Sequence, residues 1–141
     1  MAQVSFYSLA DSDPHSRLLF ACRLTEKAAA LGHRVFIQAE SPEQAATLDK
    51  LLWTFKPSAF LPHTVNETGQ PQHEAVAVGT ARQLEFHSDV LINLADEPVH
   101  SHQRFKRINE IVCGDKELTA RGRKHYRYYQ GEGYEIETFK V

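Results

Sequence analysis

Cysteine, methionine and tryptophan are almost missing from this chain: two Cys, one Met and one Trp in 141 residues. Cys22 and Cys113 stand far apart, and neither belongs to a Cys-x-x-Cys pair. That removes a disulfide framework and a cysteine-based zinc or redox site from consideration, and leaves two buried thiols in a reducing compartment. No apolar run approaches the length of a membrane span. The start, "MAQVSFYSLADSD", lacks the basic residues and apolar stretch of an export signal, so a cytoplasmic protein is expected. Repeats, low-complexity segments and interdomain linkers are absent too, which leaves residues 1–141 as one domain.

The motifs of catalysis are equally scarce. A Rossmann fingerprint would fall directly after the first strand, yet "LADSDPHSRLL" holds no glycine through which a backbone could approach a pyrophosphate. There is no G-x-x-x-x-G-K-[ST], no G-x-S-x-G and no H-E-x-x-H. Asp11 and Asp13 read as helix caps, and nothing marks Ser58, near His63, as an activated nucleophile. An enzyme is therefore not expected. Eight histidines raise the question of a metal, but His100-Ser101-His102 has only Asp96 and Glu97 nearby and no third His or Cys at set spacing. No metal or cofactor is assigned.

What is present is a regular alternation of strands and helices. Residues 4–10 form a β-rich run, and Asp13-Pro14 caps a helix to about Leu31, with Phe20, Leu24, Ala28 and Leu31 on one face and Gly32 as its stop. Residues 34–40 read as a strand. Ser41-Pro42-Glu43-Gln44 is a capping box that starts a helix to about Phe55. Residues 56–73 look irregular, 74–79 a strand or short edge piece, and 89–94 a buried strand. The stretch "HQRFKRINEIVCG" mixes a helical start with a strand and shows no clear boundary. A helix over 117–130 and an alternating strand over 134–140 close the order. Such an order predicts an α/β domain with a mostly parallel central sheet flanked by helices.

Two surfaces attract attention. On the helix 42–54, Ala45, Leu48, Leu51, Leu52 and Phe55 share a face, and Trp53 points away from it. Either the following loop buries Trp53 within the chain, or Trp53, Phe60, Leu61 and Pro62 form an aromatic patch for a partner protein. The second surface is basic. Half of all Lys and Arg, eight of 16, lie between Arg104 and Arg127. On the helix 117–130, Leu118, Gly122, His125 and Tyr129 face the sheet, while Arg123, Tyr126 and Arg127 meet on another face and Arg121, Lys124 and Tyr128 form a further ridge. Cations around an aromatic ring suit an acidic peptide with a bulky apolar residue. They also suit single-stranded nucleic acid, or a plain solvated helix face.

The segments "FYSLADSDPHSRLLFACRLTEKAAALGHRVFI", "LDKLLWTFKPSAFLPH", "SDVLINL", "RFKRINEIV" and "RKHYRYYQGEGYE" together resemble the chi subunit of the bacterial DNA polymerase III holoenzyme, in order over nearly the whole chain. The resemblance implies a Rossmann-like α/β fold and a non-catalytic adaptor. It implies two partners: the psi subunit, which tethers chi to the clamp loader, and the acidic, phenylalanine-ended C-terminal tail of single-stranded DNA-binding protein. Carried over, the psi-facing positions are Trp53, Phe60 and Pro62, and the tail-binding positions are Val112, Arg123, Tyr126 and Arg127. Where some relatives carry a Lys, this chain has Thr119, and Arg121 is expected to take that role.

Overall fold

The computed structural model describes residues 2–55, 63–65, 76–81 and 88–141. Seven strands form one sheet: β1 (Gln3–Ser8), β2 (Val35–Gln38), β3 (His63–Val65), β4 (Val76–Gly79), β5 (Val90–Asn93), β6 (Arg107–Val112) and β7 (Ile136–Lys140). Their spatial order is β3-β4-β2-β5-β6-β1-β7, and every pairing is parallel. The expected α/β class holds, and the sheet is wholly rather than mostly parallel. Among the described residues three α-helices flank it: α1 (Pro14–Ala30), α2 (Pro42–Thr54) and α3 (Lys116–Gly131).

Local chemistry sets each helix start. The Asp13 carboxylate accepts from His15 N at 3.0 Å, with Pro14 in the first turn. Ser41 Oγ accepts from Gln44 N at 3.1 Å, and Gln44 Oε1 accepts in return from Glu40 N at 2.9 Å. Asp115 caps α3 by accepting from Leu118 N at 3.1 Å. After α1 and α3 the chain turns through Gly32 and Gly133, at φ +89° and +91°, where a Cβ would be strained.

Alternation along the strands then divides the core. Val35, Ile37, Val78 and Ile92 face α1 and α2, packing on Ala21, Cys22, Ala45, Leu48 and Leu52. Phe6, Phe36, Leu91 and Ile108 face the other way, toward Tyr129 and Tyr134. Among the described helices, α3 covers one layer, together with Val99 and Phe105 from the β5–β6 connection, while α1 and α2 share the other.

Several boundaries differ from the sequence reading. Leu31 is not on a buried face of α1: it caps the helix and is 71% exposed, while Arg17, Ala21, Cys22 and Thr25 form the buried stripe. Small side chains lie where α1 meets the sheet, and Phe20, Leu24 and Ala28 flank that contact half-buried. Residues 76–79 are no edge piece. They form β4, buried throughout, because β3 from within the expected irregular stretch lies outside them. The undecided stretch resolves into one 3-10 turn, His102–Arg104, followed by β6. Both cysteines are buried free thiols, and burial pushes the Cys22 thiol up to about 12. Among the described residues no helix is long and apolar enough to cross a membrane.

Candidate functional site

Below α3, at the carboxyl ends of β1, β6 and β7, lies a cavity of about 180 Å³. Its walls are Phe6, Tyr7 and Ser8 of β1, Val112 at the end of β6, Thr138 of β7, and Thr119, Gly122, Arg123 and Tyr126 of α3. Helical periodicity produces the last set: positions 119, 122, 123 and 126 fall along one side of α3. Tyr126 is fixed edge-on to Phe6, with ring centroids 5.3 Å apart.

Gly122 lets this cavity exist at its present depth. A Cβ there would stand 2.7 Å from Val112 Cγ2 and 3.2 Å from Cγ1. The mid-helix glycine, which costs about 1 kcal/mol relative to Ala, therefore permits a close approach of α3 to β6.

The sequence-predicted residues divide here. Val112, Arg123 and Tyr126 come together in the wall, and Arg127 lies exposed one helical turn beyond Arg123. Arg121 is not brought to the cavity. Its guanidinium donates to Glu40 at 3.2 Å and pairs with Asp96 at 2.6 Å, across the carboxyl ends of β2 and β5. Lys124, on the same side, lies 3.7 Å from Glu97. The expected stand-in role of Arg121 thus has no geometric support, whereas Thr119 does line the cavity and donates its hydroxyl to Cys113 O at 3.0 Å.

Trp53 projects from α2 and is 46% exposed. Phe60, Leu61 and Pro62 lie outside the described residues, as does Ser58. The paired histidines have other partners: His100 Nδ1 is 3.1 Å from Tyr128 Oη, and buried His102 bonds to the Tyr134 hydroxyl.

Behind the cavity runs a polar network that sequence reasoning missed. Gln38, Asn93 and Glu110 are neighbours in register across β2, β5 and β6. Glu110 is 2% exposed; its carboxylate accepts from Asn93 Nδ2 at 2.8 Å and Tyr129 Oη at 2.7 Å, and lies 2.9 Å from His125 Nδ1. Tyr129 Oη also accepts from Val99 N at 2.9 Å, and its phenol is pushed well up by burial and the neighbouring carboxylate. Facing positions His125 and Tyr129 were legible from periodicity. Glu110 was not, since one carboxylate inside "RINEIV" carries no periodic signal.

The family model described as DNA polymerase III chi subunit, HolC, matches residues 1–137. The chain belongs to the DNA polymerase III chi subunit family. Relatives named DNA polymerase III subunit chi include one from Pseudomonas aeruginosa, 33% identical over 141 residues that cover 100% of this chain and 98% of that protein. Another, from Haemophilus influenzae, is 31% identical over 139 residues, or 96% and 95% of the two chains. The Escherichia coli protein of that name is 26% identical over 118 residues, or 83% and 80%. Membership places the chain among the accessory subunits of DNA polymerase III, and the cavity under α3 is a feature of a chi-family domain.

Proposed function

We propose that this chi-family chain is a non-catalytic replication adaptor with two docking surfaces. One receives the acidic, phenylalanine-ended C-terminal tail of single-stranded DNA-binding protein. The other, around Trp53, Phe60, Leu61 and Pro62, receives the psi subunit and through it the clamp loader.

The cavity under α3 carries the first assignment. An apolar cavity of about 150 Å³ accommodates a benzene ring in a protein interior. A cavity of about 180 Å³ with Phe6, Val112 and Tyr126 in its walls is a fit for one phenyl side chain. Arg123 at its rim and Arg127 beyond supply cations for the peptide's carboxylates, the terminal one included. Among the described residues neither guanidinium has an acidic partner within ion-pair reach, so neither must leave one to bind a peptide. A short peptide held by one ring and a few charge-assisted hydrogen bonds on an open surface binds on the order of 1 μM, and more weakly as salt rises.

A single-stranded nucleic acid is the alternative occupant of the basic helix. It asks for open aromatic platforms. Tyr126 is half-buried in the cavity wall, and Tyr128 is engaged edge-on by His100, which favours the peptide. Titration of a fluorescent peptide ending in Asp-Ile-Pro-Phe, of a variant without the final Phe, and of an oligonucleotide decides between them. Binding of the intact peptide alone is expected. Oligonucleotide binding without peptide preference would replace the peptide reading with the nucleic-acid one. For the second surface, Trp53→Ala is expected to abolish co-purification with psi while the far-UV spectrum and melting stay unchanged; loss of folding would return Trp53 to this chain's own core.

A further inference from the structure

His125 lies one residue before Tyr126, and Glu110 lies two residues before Val112. The bond between them therefore joins the helix that carries one wall of the cavity to the strand that carries the other. His125 is 1% exposed. Its Nδ1 is 2.9 Å from the Glu110 carboxylate, and its Nε2 is 2.7 Å from the Asp96 carbonyl oxygen in the loop after β5. The Asp96 carbonyl is an acceptor only, and so is Glu110 in the carboxylate form to which Asn93 and Tyr129 donate. A neutral imidazole has one N–H and would set its remaining lone pair against one of these oxygens. Two acceptors at hydrogen-bond distance demand two donors, which is an imidazolium.

We propose that the Glu110–His125 pair is a positioning pair for the peptide cavity, a buried imidazolium–carboxylate clamp that holds Tyr126 and Val112 a ring's width apart. This rests on the peptide-binding reading above. The surrounding groups support the charged form. Glu110 also accepts from Asn93 of β5 and Tyr129 of α3, so its negative charge is well satisfied. Arg17 of α1 donates to Ile111 O at 2.8 Å and interacts with the Glu110 charge from the other side of the sheet. Against protonation stand burial and the Arg121 cation, one helical turn earlier. Burial alone would lower the His125 pKa; the hydrogen bond and charge of Glu110, with the Asp96 carbonyl, outweigh it and raise the pKa above its ordinary value.

A raised folded-state pKa places the clamp fully on below the unfolded value and removes it as pH rises through the folded one. Loss of the proton takes the cation out of the Glu110–His125 pair, leaving a weaker neutral N–H to carboxylate hydrogen bond, and sets the His125 Nε2 lone pair against the Asp96 oxygen, so α3 is held less firmly against β6. Among the described residues, the cavity lining holds no histidine or carboxylate. Peptide carboxylates, ordinarily titrating near pH 4, stay ionised throughout the range that matters. A fall in affinity between about pH 6 and about pH 9 therefore reports on His125 rather than on the contact groups.

The experiment is a titration of the intact chain with the fluorescent Phe-ended peptide across that pH range, paired with nitrogen-15 NMR of the His125 ring. Expected are two protonated ring nitrogens at neutral pH, and an affinity that falls roughly tenfold along the same titration curve, the change that one unit of pKa difference between free and peptide-filled states produces. His125→Gln, which cannot titrate, is expected to bind weakly at every pH, matching the alkaline limit. A single protonated ring nitrogen at neutral pH overturns the clamp. So does peptide binding that is present but flat with pH, which would leave the cavity assignment standing. Binding at no pH would overturn the cavity assignment and the clamp with it.

Discussion

Two faces of α3 carry the same residue types and meet opposite fates. On one, Arg121 is held by Glu40 and Asp96, Lys124 lies near Glu97, His125 bridges Glu110 and the Asp96 carbonyl, and Tyr129 ties Glu110 to Val99. On the other, Arg123 and Arg127 have no such carboxylate among the described residues, and the ring between them borders a cavity. A basic helix is thus not uniformly a binding surface. One face uses its charge to hold the helix in place, and the other leaves its charge without a carboxylate among the described residues, as the proposed peptide site requires. Substitutions on the first should cost stability, and those on the second should cost binding.

The largest expected effect is at the deepest tie. Tyr129→Phe removes a hydrogen bond to a buried carboxylate and strands the buried Val99 N–H. It should lower unfolding free energy by about 3 kcal/mol, read from urea denaturation. An unchanged midpoint would mean the face is not what holds α3. Next comes Arg123→Ala, which should weaken the Phe-ended peptide by about 2 kcal/mol, roughly thirtyfold, while leaving the urea midpoint in place. A stability loss without a binding loss would reverse the assignment of the two faces. Smallest is Arg121→Ala. Its partners are largely solvated, so under about 1 kcal/mol of stability should be lost, with no change in peptide affinity. A strong binding defect there would show that the ridge expected from sequence reaches the peptide after all.

Local sequence carries much of this comparison. The helix starts rest on contacts within a few residues, so Asp13-Pro14 and Ser41-Pro42 announce them directly. The inward face of α3 follows from a period of 3.6. What pattern alone leaves open is which side each arginine serves. Arg121 and Arg123 are two residues and so about 200° apart on the helix. Only the parallel topology brings Glu40 and Asp96 opposite the first and a cavity beside the second. The remaining walls, Phe6, Ser8 and Thr138, come from opposite ends of the chain and carry no local signal of being neighbours.

That closure between chain ends has a consequence in time. Strand β1 leaves the ribosome well ahead of both its neighbours, β6 and β7. At synthesis rates of about 5–20 residues per second, the stretch from Ser8 to Arg107 takes roughly 5–20 s. Through that interval the β-rich segment "VSFYS" has neither partner to pair with. The growing chain must keep an orphan strand from pairing wrongly until β6 and β7 arrive.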